Sequence, residues 1–182
     1  MAHEFTTSYL KDSIMLFHYY KKLGDRALAQ APDDALTSVL DSESNSIATI
    51  VKHMSGNMRS RWKDFLTTDG EKPDRNRDGE FEAPPQTRTE VIALWETGWQ
   101  GTFVALESLT DEDLGRTIYI RGEAHSVVQA IQRQLTHYSY HVGQIVYLAK
   151  HYVGSQWKSL TVPRGKSAEV IAKINAGRNS SR

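Results

Sequence analysis

The chain has 182 residues and no cysteine, which allows one domain with a substantial core and excludes disulfide frameworks and thiolate metal sites. Lysine plus arginine and aspartate plus glutamate number 22 each, and the resulting zero net charge argues against a nucleic-acid-binding surface. No apolar run approaches the roughly 20 residues that span a bilayer, and the polar start lacks a signal-peptide pattern, so we expect a cytoplasmic protein without a membrane partner.

The first two long helices are predicted from apolar residues that recur at helical spacing. The first extends over about 6–30, and Pro32 prevents it from continuing. The second extends over about 45–66, and Ser44 or Asn45 is its predicted N-cap. Both segments have one apolar face, which is typical of helices that pack on a shared core.

Two capping boxes predict where the third and fourth helices begin. Thr87 is followed three residues later by Glu90, and a helical apolar pattern continues from there. Ser126 is followed in the same way by Gln129, and the fourth helix is expected to continue to about Tyr152.

The remaining segments carry weaker patterns. Residues 117–124 alternate weakly and are the candidate for a hairpin, and 67–86 is too long for a simple turn, which indicates a crossover or a functional loop. After a bundle core over 6–152, the C-terminal segment 153–176 is expected to carry one short helix. The tail, 177–182, is expected to be disordered.

Four long helices in one domain predict an all-α fold for the whole chain, 1–182. A four-helix bundle is the simplest arrangement that buries four apolar stripes. We therefore expect such a bundle with a long crossover loop and a short extra C-terminal helix. Bundle cores also supply ligand and metal sites from facing helices.

Three histidines on two of these helices are the candidate metal ligands. His137 and His141 are four residues apart, which places both imidazoles on one helix face, and His53 lies beside the apolar stripe of the second helix. Three such ligands would occupy three positions of a tetrahedron and leave the fourth open. Histidines at this spacing also arise by chance, so spacing alone leaves both a metal site and ordinary polar residues open. Tyr138 stands where the metalloprotease motif needs glutamate, which excludes that class.

Polar residues near the histidines have two open interpretations. Asn57 lies one turn after His53, and Gln134 and Gln144 flank the histidine pair. Each amide could orient a ligand's second ring nitrogen or a bound substrate, or could be satisfied within the bundle. Gly143 is expected at a close helix contact.

The loop before the third helix contains charges of both signs. Its arginines, with two from the second helix, could bind an anionic substrate or form ion pairs within the chain, and the mixed signs favour ion pairs. The residues concerned are Arg59, Arg61, Arg75 and Arg77, with Asp74, Asp78 and Glu80 as partners. Asp41, Glu43 or Glu80 could act as a general base, but nothing in the sequence places any of them near the histidines.

The histidine-containing segments resemble a known superfamily. Residues 137–144, H-Y-S-Y-H-V-G-Q, resemble the last core helix of the DinB-like superfamily, which carries H-x-x-x-H followed by x-G-Q. Residues 46–54 resemble its second helix, which carries the third histidine. Further runs resemble the branch catalogued as domain of unknown function 1572, and the resemblance covers roughly 6–164. These runs are 45–47, 56–62, 69–73, 75–81 and 133–137.

The resemblance implies a four-helix bundle, commonly a homodimer, that holds one divalent ion (nickel, zinc or iron) per chain through His53, His137 and His141. Some relatives are thiol-dependent transferases and others are described as metal-dependent hydrolases, so a small-molecule thiol or electrophile is the expected partner. The catalytic residues are unknown. The alternatives are a non-catalytic metal-binding stress or interaction protein and a DNA-damage-linked nucleic-acid binder, and the neutral charge argues against the latter. Whether the protein is an enzyme stays open at this point.

Overall fold

The structure is a computed structural model and describes residues 8–179, with side chains up to residue 176. Within this range it contains five α-helices and one two-stranded antiparallel sheet. The helices are α1 (Tyr9–Leu28), α2 (Ile47–Trp62), α3 (Arg88–Glu107), α4 (Val127–Val153) and α5 (Ser167–Asn179), and the strands are β1 (Thr117–Ile120) and β2 (Glu123–Ser126). The predicted all-α bundle is confirmed.

Each of the first four helices contributes a large ring to the centre of the bundle. Phe17 of α1, Trp62 of α2, Trp99 of α3 and Tyr138 of α4 are all at most 3% exposed. The ring centroids of Trp99 and Tyr138 are 5.7 Å apart, and those of Phe17 and Tyr138 are 5.9 Å apart. The most extensive helix pairs are α2 with α3 and α1 with α4, and α2 also packs on α4. This last contact positions the candidate site.

The predicted limits of α2 are wrong at both ends. The N-cap is Ser46, whose hydroxyl accepts a hydrogen bond from the backbone of Thr49 at 3.1 Å, and it is not Ser44 or Asn45. The helix ends at Trp62, four residues early, because the backbone turns away through extended Lys63 and Asp64, whose φ is 49°. The predicted start of α1 near residue 6 lies outside the described residues.

The hairpin and the capping boxes agree with the sequence patterns. Both reciprocal boxes, Thr87 with Glu90 and Ser126 with Gln129, are present. Ser126 ends β2 and also caps α4, so the hairpin leads directly into the helix that carries two of the histidines.

The long connection over 63–87 is held against the hairpin. The carboxylate of Asp69 accepts hydrogen bonds from the backbone of Arg121 at 2.8 Å and of Gly122 at 2.7 Å. Both residues have positive φ in the tight turn between the strands. The connection then returns across α2 and forms a short 3-10 turn at Asp78–Phe81. It is therefore a crossover whose last part lies over α2.

The C-terminal part differs from expectation in two respects. α5 continues to Asn179, three residues into the segment expected to be a disordered tail, and 180–182 lie outside the described residues. Among the described residues, nothing lies within 4 Å of the position that a Cβ atom of Gly143 would take, so the expected close helix contact there is wrong. Across the part of the chain described, none of the helices has the length and apolar character needed to cross a membrane.

Candidate metal centre

The packing of α2 on α4 brings the three candidate histidines together. Nε2 of His137 lies 3.3 Å from Nε2 of His53 and 3.0 Å from Nε2 of His141. One ring nitrogen from each histidine lies within 4.8 Å of the others. His53 is buried, and the other two are partly buried.

Two of the three separations match those of nitrogens that share one metal ion, and the third pair lies within 4.8 Å. With zinc–nitrogen bonds of about 2.0–2.1 Å, two ligands of a tetrahedral ion lie about 3.3–3.4 Å apart. Adjacent ligands of an octahedral ion with similar bonds lie about 3.0 Å apart. The distances of 3.0 and 3.3 Å therefore allow both geometries.

The opposite ring nitrogens of two histidines are already hydrogen-bonded. Nδ1 of His53 donates to Oε2 of Glu80 at 2.9 Å, and Nδ1 of His141 donates to Oε1 of Gln144 at 2.8 Å. Because a neutral imidazole carries one proton, Nε2 of each of these rings presents a lone pair. Nε2 of His137 can donate a proton to only one of them, so the three nitrogens cannot satisfy one another. A cation between them would satisfy all three.

The surroundings keep the imidazoles of His137 and His141 unprotonated. Burial, reinforced by the neighbouring histidines and arginines, lowers the pKa of His137 to about 3. Burial also lowers the pKa of His141, although the hydrogen bond to Gln144 opposes this effect. Neutral imidazole is the form that binds metal, so these two ligands need no deprotonation at pH 7.

Glu80 fixes the orientation of His53 and is itself fixed by Arg75. The guanidinium donates from Nε to Oε1 at 2.8 Å and from Nη2 to Oε2 at 2.9 Å, and it also contacts Glu71 at 3.2 Å. Burial alone would raise the pKa of Glu80, but the hydrogen bond from His53 and the charge of Arg75 lower it below its ordinary value. The carboxylate is therefore ionised and engaged on both oxygens, which suits a positioning group better than a free general base.

The sequence did not reveal this role of Glu80. The residue is 27 positions from His53 in an irregular segment, and no spacing rule relates the two. The predicted ion pairs in this region are present for Arg59 with Asp74 at 3.3 Å and for Arg75 with Glu80.

The three flanking amides have different environments. Gln144 hydrogen-bonds His141, as one of the two interpretations expects. Asn57 accepts a hydrogen bond at 3.3 Å from the hydroxyl of Tyr138, so this amide bonds within the bundle core. Gln134 is 2% exposed, and its Oε1 has no hydrogen-bond partner among the described residues.

A small polar cavity lies beside the histidines. It has a volume of about 210 Å³, and its lining includes His53, His137, Asn57, Gln134 and several arginines. This volume corresponds to about seven water molecules, so the cavity fits a small ligand or one end of a larger one. A larger hollow of about 560 Å³, lined by residues of α2, α3 and the segment between them, is mostly apolar, and none of the three histidines is among its described lining residues.

One comparison identifies a family. The family model described as "Protein of unknown function (DUF1572)" matches residues 4–166. Searches of curated proteins and of solved structures found no match.

Proposed function

Because the chain belongs to the DUF1572 family of proteins of unknown function, and its three histidines converge as described, we propose that it binds one divalent metal ion through His53, His137 and His141. The observation that carries the proposal is the cluster of three Nε2 atoms, with separations of 3.0 and 3.3 Å, that cannot satisfy one another by hydrogen bonds. The ion is nickel, zinc or iron, since imidazole suits all three.

The groups around the ligands support this assignment. Glu80 and Gln144 hold the Nδ1 sides of two ligands, which is the usual way a protein fixes metal-binding imidazoles. Three neutral ligands leave the full charge of the ion in place, and an ion held there would supply Lewis acidity to a water molecule or a thiol. The adjacent cavity offers space for a small substrate at this position.

We further propose a metal-dependent enzyme of the thiol S-transferase or hydrolase type, and we propose that the family is a branch of the DinB-like superfamily. The four-helix bundle and the placement of the histidines on α2 and α4 support this relationship. The homodimer and the cytoplasmic location stay predictions from the sequence.

Metal analysis of the protein, purified without chelators and offered each metal in turn, tests the binding proposal. We expect about one ion per chain, and we expect His137→Ala to lose it. His151→Ala provides the control, because His151 is an exposed histidine on the same helix and lies outside the cluster. Wild-type protein that binds none of the metals would refute the proposal. A metal-loaded protein that turns over no thiol or electrophile would favour the non-catalytic alternative.

A further inference from the structure

The cavity beside the histidines is unusually basic for a chain with no net charge. Five arginines are among its described lining residues. They are Arg61, Arg75, Arg77, Arg121 and Arg133. They come from α2, the crossover segment, the hairpin turn and α4, so four separate parts of the chain direct cationic residues to one hollow.

Ion pairs within the chain neutralise only part of this charge. Arg75 pairs with Glu80 at 2.8 Å and with Glu71 at 3.2 Å. Glu71 is shared, since it also pairs with Arg61 at 3.1 Å and with Arg121 at 2.9 Å. Two carboxylates, Glu71 and Glu80, therefore neutralise the charges of three guanidinium groups only in part.

The other two arginines have no such partner in the described part of the chain. Among residues 8–176, neither Arg77 nor Arg133 forms an ion pair with a carboxylate. Arg77 lies over the ring of Phe81, at 6.0 Å from its centroid, and Arg133 is exposed on α4. Even with Asp69 counted, whose carboxylate hydrogen-bonds the backbone of the hairpin turn, positive charge is in excess.

The wall of the cavity also contains buried polar atoms that the described part of the chain leaves without a hydrogen bond. These are Nε of Arg61 and Oε1 of Gln134, and the two residues are 5% and 2% exposed. Such atoms are rare in folded proteins because each one costs free energy. Nε of Arg61 is a donor, which suits an oxyanion as its partner, whereas Oε1 of Gln134 is an acceptor and needs a group that donates.

We propose that this cavity binds a small anion through carboxylate or phosphate oxygens, with Arg77 and Arg133 as the residues that hold its charged end. The planar guanidinium fork matches the two oxygens of either group. The volume of about 210 Å³ restricts the ligand to a small molecule or to the anionic end of one. As a substrate class, the assignment rests on the proposed metal-dependent function, because the same cavity contains His53 and His137.

Calorimetric titration of metal-free and nickel-loaded protein tests the proposal with three probes. Malonate and inorganic phosphate represent the two oxyanion classes, and malonamide is the uncharged counterpart of malonate. We expect both anions to bind metal-free protein, with dissociation constants that rise with added salt, and malonamide to bind at least tenfold more weakly. The tighter anion identifies the carboxylate or phosphate class. Equal binding of malonate and malonamide would overturn the proposal.

Single variants show whether the arginines of the cavity are responsible. Arg77→Gln and Arg133→Gln should each weaken anion binding about fivefold to tenfold, since each removes a charge-assisted hydrogen bond at an exposed position. Arg59→Gln is the matched control, because Arg59 is exposed on α2, pairs with Asp74 and is absent from the cavity lining. It should change the affinity less than twofold. Equal losses in all three variants, or no loss in any, would contradict the assignment.

Metal content, measured on the same samples, separates the two proposals. Anion binding that depends on Arg77 and Arg133 in protein that never binds metal would refute the proposed function and leave the anion site standing. Anion binding that occurs only with nickel and is unaffected by Arg77→Gln and Arg133→Gln would do the reverse.

Discussion

Replacing Glu80 with glutamine should weaken metal binding although none of the three histidines is altered. In the wild type the carboxylate accepts the Nδ1 proton of His53 at 2.9 Å and a two-point contact from Arg75 at 2.8 and 2.9 Å. Glutamine has the same length but no charge, and its single oxygen cannot serve both partners fully. The imidazole of His53 then donates its electron pair to the metal less strongly and is held less firmly in its orientation.

The expected magnitude follows from these contacts. Loss of a carboxylate that orients a metal-binding histidine typically costs about 10–100-fold in metal affinity. The variant also leaves the buried guanidinium of Arg75 with Glu71 as its remaining partner, at 3.2 Å. Removal of one partner of a fully buried ion pair costs about 3–5 kcal/mol. Because Glu71 remains, we expect the free energy of unfolding of the metal-free protein to fall by about 2 kcal/mol.

Competition with a coloured chelator measures the metal affinity, and urea unfolding of the metal-free protein measures stability. Glu71→Gln is the matched control, because Glu71 pairs with Arg61, Arg75 and Arg121 and is not among the hydrogen-bond partners of the three histidines in the described structure. It should lower stability and leave metal affinity within about twofold, well below the loss expected for a ligand-orienting residue. The reasoning would be refuted by unchanged metal affinity in Glu80→Gln, or by equal losses of affinity in the two variants.

Three further predictions use the same assays. In Gly56→Ala the new Cβ would overlap the carboxyl group of Glu80 and displace it from His53, so metal affinity should fall. Helix propensity alone would stabilise α2 by about 1 kcal/mol. An unchanged metal affinity would contradict the contact between Gly56 and Glu80. Tyr138→Phe leaves Nε1 of Trp62 without its acceptor at 3.0 Å, and urea unfolding should show a loss of about 1–3 kcal/mol, whereas a neutral result would show that this bond adds nothing. The stability of metal-free protein should fall as the pH decreases from 6.5 towards 3. The pKa of His137 is about 3 in the folded state, against the ordinary histidine value of 6.5 in the unfolded chain. Between these values the unfolded chain binds more protons than the folded protein, so lowering the pH favours unfolding. His137 can change the free energy of unfolding by at most about 1.4 kcal/mol per pH unit. Urea unfolding at several pH values measures this dependence, and a free energy of unfolding that does not change with pH would disprove the lowered pKa of His137.

The helices and several of their ends were predictable because their signals are local. A capping box involves residues three apart, and Thr87 with Glu90 and Ser126 with Gln129 begin α3 and α4 as predicted. The prediction failed at the end of α2, where the apolar spacing continues to Phe65 although the helix stops at Trp62. Phe65 is 4% exposed and enters the core from the crossover segment. Apolar spacing reports burial, and here burial continues after the helical backbone has ended.

That His137 and His141 share a helix face follows from their spacing, since four residues make about one turn. The contact of His53 with this pair does not follow from spacing, because it depends on how α2 packs against α4, and His53 and His137 are 84 residues apart in sequence. The same is true of Glu80, whose position depends on a crossover segment that Asp69 attaches to the hairpin turn. It also applies to the arginines that converge on the cavity from four parts of the chain. Local patterns specify which side of an element a residue occupies, whereas packing between elements specifies what that side meets.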